Sequence, residues 1–279
     1  MAKVVIVIPA RYASSRFPGK PLAEICGKPM LRRTYDVAIM SSRRADCEVI
    51  VATEDARIMD FCKSENIRCV MTSDSCKTGT DRVCETVRKL GYKPELIINL
   101  QGDAPLTPPW FLTRMMADFF GSAAGNSHTM VTPGTVMSWE ELDKLRENKK
   151  TTPFTGTTLT MNHRTSEAIW FSKNIIPAIR DEKKLRETSK LSPVIRHVGL
   201  YGYGYEILME FATLKEGYYE KLEGLEQLRI IENGYKIKVA LVDYRGRPSS
   251  PGVDTPEDIK RAEASIAEFG EFREEDYDY

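Results

Sequence analysis

Val4-Val5-Ile6-Val7-Ile8 is an unbroken apolar run only a few residues from the N-terminus. With no polar alternate position, it predicts a strand covered on both faces, as in a parallel sheet flanked by helices. Similar runs follow at 48–52, 67–71 and 96–100. Between them lie segments with helical spacing. One starts at Pro29 and uses Met30, Leu31, Thr34, Tyr35 and Ala38; a short one spans 55–65 on Ile58, Phe61 and Cys62; a third spans 81–90. Another helix begins after Pro108-Pro109. Strands joined by one helix each need crossover connections, so this half reads as an α/β domain with a mostly parallel sheet.

The rhythm breaks from about 122 to 160. Gly, Ser and Ala, a charged helix near 139–149 and a Thr-rich stretch over 151–160 predict an insertion. Strands at 167–172 and 194–203 flank a charged connector at 180–190. A helix at 222–233 closed by Gly234, a strand at 236–243 and a last helix at 256–269 complete the fold. Residues 271–279 form an acidic tail. No internal repeat or low-complexity linker divides the chain. It reads as one domain over 1–270, with 122–203 as an inserted, smaller subdomain.

Composition excludes several classes of partner. The 40 Lys and Arg balance 40 Asp and Glu, so no global field favours nucleic acid or a membrane surface, and an anionic ligand needs a local cluster. No apolar run reaches the ~18 residues of a membrane span, and no signal peptide is expected at the N-terminus. The six cysteines (26, 47, 62, 69, 76 and 84) lack a Cys-x-x-Cys pair, which predicts packed, reduced thiols in a cytoplasmic protein.

That local cluster directly follows the first strand. Residues 9–20 carry Arg11, Arg16 and Lys20, the hydroxyls of Ser14 and Ser15, and Gly19 beside the lysine. Cations and small hydroxyls at a strand tip suit a polyphosphate, and the same residue types also make a solvated basic turn. It is not a Walker loop. Asp103, in Gln101-Gly102-Asp103, sits at the tip of the fourth predicted strand. It serves either as a ligand for a hard cation or as an Asx-turn into the following prolines.

Later segments add further candidates. In Val253-Asp254-Thr255-Pro256, Thr255 reads as a helix N-cap, leaving Asp254 free as a second carboxylate. Residues 195–203, as one strand, place His197, Gly199, Tyr201 and Tyr203 on one face, as a hydroxylated-substrate site or an aromatic ladder. The default for Glu226 and Arg229 is a surface ion pair. At 78–82, Thr78, Gly79, Thr80 and Arg82 fit a nucleoside, while Thr80 or Asp81 as N-cap explains the same residues.

In this order, the segments resemble one family. Ile8-Pro9-Ala10-Arg11-Tyr12-Ala13-Ser14-Ser15-Arg16, Pro18-Gly19-Lys20-Pro21-Leu22, Thr78-Gly79-Thr80-Asp81-Arg82 and Asn99-Leu100-Gln101-Gly102-Asp103 come first. Arg196-His197-Val198-Gly199-Leu200-Tyr201, Leu225-Glu226-Gln227-Leu228-Arg229 and Val253-Asp254-Thr255-Pro256-Glu257-Asp258 follow. The chain is similar to 3-deoxy-manno-octulosonate cytidylyltransferases (CMP-Kdo synthetases) over about residues 3–120 and 166–265. The resemblance implies a Rossmann-like nucleotidyltransferase fold and coupling of CTP to a 2-keto sugar acid with release of pyrophosphate. By the same resemblance, Arg11 and Lys20 hold the triphosphate, lined by Ala10, Ser14, Ser15 and Arg16. Thr78, Gly79, Thr80 and Arg82 approach the nucleoside, and Asp103 and Asp254 carry Mg2+. Gln101, His197, Tyr201, Glu226 and Gln227 bind the sugar acid, as one step of lipopolysaccharide biosynthesis. A homodimer formed partly by the insertion is also implied.

Three departures fall on the acceptor side: Ala104 replaces an acidic or amide residue, Ser172-Lys173 replaces Ser-Arg, and residues 122–165 match poorly. Two readings therefore remain beside the first. One is the same chemistry with another acidic acceptor, such as a different ulosonic acid, an amino-Kdo or a phosphonate. The other is a catalytically silent nucleotide-binding paralogue. A metal-dependent glycosyltransferase is disfavoured, since the one Asp-x-Asp, at 276–278, lies in the tail.

Overall fold

The computed structural model describes residues 1–13, 17–43, 45–121, 130–249 and 252–273. Ser14, Ser15 and Arg16 therefore lie outside the described residues. The chain divides into two compact units, one of Met1–Met116, Gly202–Ala212 and Tyr244–Tyr279, the other of Ala117–Tyr201 and Thr213–Asp243.

The first unit begins with β1 (Val4–Pro9), a single turn at Lys20–Leu22, and a small hairpin of β2 (Glu24–Ile25) and β3 (Lys28–Pro29). α1 (Met30–Ser42), β4 (Cys47–Thr53), α2 (Ala56–Ser64), β5 (Cys69–Met71), α3 (Gly79–Lys89), β6 (Leu96–Asn99) and α4 (Pro109–Phe120) follow. Pro29 is the residue before α1 and not its first turn. Val5, Ile6, Val7 and Ile8 are fully buried, as a strand covered on both faces requires. Burying each such side chain contributes roughly 1.5–3 kcal/mol.

β1 pairs in parallel with β4 (Ile8 opposite Val51) and with β6 (Val7 opposite Asn99), and β4 pairs in parallel with β5. The order is therefore β5-β4-β1-β6. The chain steps outward from β1 through β4 to β5, then returns by α3 to the opposite side of β1. That reversal is a topological switch between β1 and β6, the place where an open α/β sheet leaves a crevice beyond its strand tips.

The second unit starts with β7 (Met130–Ser138), α5 (Trp139–Thr151), β8 (Thr158–Met161), β9 (Ala168–Ser172), α6 (Glu182–Thr188) and β10 (Leu191–His197). β11 (Tyr201–Gly204) begins on the last residue of that stretch of the second unit, and from Gly202 the chain, with α7 (Tyr205–Phe211), is back in the first unit, where β11 lies beside β6. The second unit then adds α8 (Tyr218–Glu223), α9 (Leu228–Glu232) and β12 (Ile237–Leu241), and α10 (Pro256–Phe269) belongs to the first. In the second unit, β7, β10, β8 and β9 pair antiparallel in that order, and β12 pairs with β7 in parallel.

Three expectations change here. The strand expected at 194–203 is two, because the chain leaves β10 after His197 and resumes at Tyr201. The helix expected at 222–233 is interrupted by Gly224 in a left-handed conformation (φ 63), separating α8 from α9. The connector expected at 180–190 contains α6, where Glu182 is forked by Arg146 and Arg186 at 2.7 Å.

Candidate active site

The loops after β1 and β6 lie against each other at the switch point. Ala10 donates its backbone N–H to the Ala52 carbonyl at 2.8 Å, and Gly102 donates to the Pro9 carbonyl at 3.3 Å. A Cβ on Gly102 would stand 2.7 Å from that carbonyl oxygen, so only glycine permits this approach. The far end of the basic loop is tied back by the Gly19 N–H, which donates to the Tyr12 carbonyl at 3.0 Å. Gly19 has φ 74, and the turn it starts carries Lys20 inward until only 8% of that residue is exposed.

Lys20 Nζ donates to Asp103 Oδ2 at 2.7 Å and to Asp254 Oδ1 at 3.1 Å. Three loops distant in sequence thus meet at one ammonium. The Val253 N–H donates to the Asp103 carbonyl at 2.7 Å, locking the last two loops together. Asp254 is set by the start of α10. Thr255 caps that helix in a capping box with Asp258, whose Oδ2 also accepts the Asp254 N–H at 3.0 Å.

A cavity of about 330 Å³ opens over this cluster, lined by Ala10, Arg11, Lys20, Gly79, Gln101, Asp103 and Asp254 among others. Exposed Arg11 donates to the Lys77 carbonyl at 3.3 Å and borders the cavity. Gln101 Nε2 donates to Asn99 Oδ1 at 2.9 Å, and its side-chain amide packs over Gly79, where a Cβ would stand 3.1 Å from Gln101 Oε1. The residue that caps α3 is Thr78, in a capping box with Asp81.

Thr80 and Arg82, expected to reach a nucleoside, are buried and do not line the cavity. Arg82 is fully enclosed, paired with Glu54 at 2.8 Å and donating to Thr72 Oγ1. Arg82 thereby ties both ends of the 72–82 segment together, and the Thr80 hydroxyl accepts from Asn99 Nδ2 at 3.4 Å.

Asp103 and Asp254 present two hard carboxylates, with side chains 34% and 42% exposed, and the charge between them is already a cation. Among the described residues, no cluster of three or more His, Cys, Asp or Glu could hold a metal. Two carboxylates facing an open cavity suit a cation such as Mg2+, which keeps several waters and completes its shell with phosphate oxygens.

The remaining expected residues lie in the second unit. The His197 ring is 5.1 Å from Phe171 and 5.6 Å from Tyr201, and its Nε2 is 2.9 Å from Thr132 Oγ1. Tyr201 donates its hydroxyl to Gln227 Oε1 at 3.2 Å. Burial, helped by the Lys173 charge, pushes the His197 imidazole down to about 3, so it is neutral at ordinary pH. Burial and the Glu226 carboxylate push the Tyr201 phenol up, and it too stays neutral. Arg229 forks onto Glu220 at 2.6 and 2.8 Å.

Two structural features of these clusters have no signal in the sequence. The seating of Lys20 between two carboxylates has no local signal. Thr132 lies in a strand unremarked in the sequence, with no motif around it.

A family described as Cytidylyltransferase matches residues 5–237. The chain is 41% identical over 268 residues to the 3-deoxy-manno-octulosonate cytidylyltransferase of Maricaulis maris (strain MCS10), covering 96% of this chain and 98% of that one. It is 39% identical over 265 residues to the 8-amino-3,8-dideoxy-manno-octulosonate cytidylyltransferase of Shewanella piezotolerans (strain WP3), covering 95% and 98%. The solved structure of a CMP:2-keto-3-deoxy-manno-octonic acid synthetase complexed with CTP matches with a TM-score of 0.80 and 32% identity, over 96% of this chain and 99% of that one.

Proposed function

This chain belongs to the cytidylyltransferase family, and on that premise we propose that it couples CTP to 3-deoxy-manno-octulosonate or its 8-amino analogue, releasing pyrophosphate. The observation that carries the reading is the convergence of Lys20, Asp103 and Asp254 beside Arg11 in one cavity at the switch point. Arg11 and Lys20 neutralise the triphosphate, over loops that the glycines at 79 and 102 let pack closely against Gln101 and Pro9. The anomeric hydroxyl of the sugar acid attacks the α-phosphorus and pyrophosphate departs. Catalysis of such a transfer is largely positioning and charge neutralisation.

Asp103 and Asp254 would hold Mg2+, which when bound offsets charge on the reacting phosphates. Lys20 keeps both carboxylates aimed at that point and can turn toward phosphate as they acquire other partners.

His197, Tyr201 and Gln227 supply neutral polar groups suited to a polyhydroxylated acceptor, and the Glu226 carboxylate lies near Tyr201. Lys173, whose charge reaches His197, would meet the acceptor carboxylate as a single ammonium where the resembling family has an arginine fork. We assign a second copy of the chain to the exposed apolar side chains of the second unit, Ile169, Tyr218 and Leu222, which are 59%, 69% and 62% exposed. All six cysteines are free thiols, consistent with a reducing cytoplasm. Among the described residues, no helix is long and apolar enough to cross a membrane.

The test is pyrophosphate release with CTP, Mg2+ and a panel of 2-keto sugar acids, the 8-amino analogue included. Turnover with either octulosonate supports the reading. Turnover only with a different acid reassigns the acceptor, and none with any acid favours a silent paralogue.

A further inference from the structure

We propose that Thr132 is a positioning residue: it holds His197 in the Nε2–H tautomer, so that Nδ1 is a bare acceptor for a hydroxyl of the sugar acid. The inference rests on the acceptor reading above and adds the direction of one of its hydrogen bonds.

A threonine hydroxyl has one proton to give. Thr132 is fully buried, and its Oγ1 lies 2.8 Å from the Leu200 carbonyl, 3.4 Å from the Val198 carbonyl and 2.9 Å from His197 Nε2. A carbonyl can only accept, so the proton goes to Leu200 at the shorter distance. The lone pairs of Oγ1 then remain to receive a proton from His197 Nε2. The reverse assignment would take this donor from the Leu200 carbonyl, at the cost of a desolvated acceptor. Thr132 is fixed by the sheet, opposite Val239 of β12.

The imidazole carries one ring proton, because its enclosure and the Lys173 charge disfavour the cation. With that proton on Nε2, Nδ1 has a free lone pair, and it has no partner among the described residues. The charged groups felt at this cluster are Lys173, after β9, and Glu226, before α9.

Gln227 supplies the complement. Its Oε1 accepts from Tyr201, and its Nε2, on a residue 1% exposed, is a buried donor without a partner among the described residues. A polyhydroxylated acceptor carries both complements, a hydroxyl proton for His197 Nδ1 and an oxygen lone pair for Gln227 Nε2–H.

The test uses the full chain labelled with 15N-histidine. The sequence has 3 histidines, and His197 is assigned by the resonance lost in His197→Gln. At pH 7 the ligand-free protein should show His197 as the neutral Nε2–H tautomer. Thr132→Ser should preserve that tautomer and normal kinetics. Thr132→Val should lose the bias and raise KM for the sugar acid about tenfold, with KM for CTP unchanged. An Nδ1–H tautomer in the wild type, or an unchanged acceptor KM in the valine variant, overturns the proposal. Should Thr132→Val fail to fold, the wild-type and serine spectra decide the tautomer. Absence of turnover with every sugar acid overturns the acceptor reading and the substrate half of this proposal, while the spectrum still decides what Thr132 does to His197.

Discussion

Lys20 and Asp103 meet at 2.7 Å although 83 positions separate them in the chain. Replacing Lys20 with methionine removes the ammonium that bridges the carboxylates of Asp103 and Asp254, and with it the compensation of their like charges. Both are over a third exposed or close to it, so water screens the repulsion, and the loss of stability should be about 1 kcal/mol. Turnover should fall at least about a hundredfold. Thermal unfolding beside pyrophosphate release separates the two effects, and near-normal turnover would remove Lys20 from the chemistry.

Asp103→Asn keeps the shape of the side chain and discards its charge. Pyrophosphate release should be abolished while the unfolding midpoint stays close to wild type. In the wild type, chelation by EDTA should stop the reaction and added Mg2+ restore it. Full activity in EDTA would contradict the metal role proposed for Asp103 and Asp254.

Arg82 makes the opposite case. It is fully buried against Glu54, so Arg82→Met strands a carboxylate that is only 14% exposed. Breaking a buried pair from one side costs about 3–5 kcal/mol. Urea unfolding should show a loss of that order, and whatever protein folds should bind CTP with nearly normal KM. A large rise in KM without loss of stability would restore Arg82 to the nucleotide site.

The depressed His197 imidazole, at about 3 against an ordinary 6.5, makes folding sensitive to acid. Between those values the unfolded chain binds a proton that the folded one refuses, so stability is full above 6.5 and declines as pH falls toward 3. The urea midpoint should therefore drop from pH 7 to pH 4.5 in the wild type and drop less in His197→Gln. The acceptor KM should show no histidine ionisation between pH 5.5 and 8. Equal acid sensitivity in both proteins would count against a neutral His197.

The first unit was legible because its first strand is a continuous apolar run and the others are mostly apolar, so that their tips can be counted from the sequence. The site was legible as separate loops. That Lys20 lies between the carboxylates was not, since no local pattern encodes a meeting of residues 20, 103 and 254. Burial of Thr80 and Arg82 was hidden because hydroxyl and guanidinium groups read as exposed ligands until a partner such as Glu54 is seen.

The second unit was harder for a different reason. β7 is interrupted on paper by Pro133-Gly134, two residues that ordinarily argue against a strand. Gly134 is needed there: a Cβ would stand 2.8 Å from Ile195 Cγ2 and 3.2 Å from Val239 Cγ1. The same crowding of strands brings Thr132 to His197. A tight approach between strands leaves only a missing side chain in the sequence, which resembles a loop.

The first unit is sealed by residues far along the chain from its opening strand. Val253 and Ala262 complete an apolar cluster with Ile25 and Met30, and Asp254 follows directly on Val253. A ribosome makes Lys20 and Asp103 long before their third partner exists. A product cut short ahead of residue 253 would carry the basic loop and the first carboxylate with neither the second carboxylate nor the apolar seal. The proposed nucleotide site is thus assembled only once synthesis has passed residues 253 and 254.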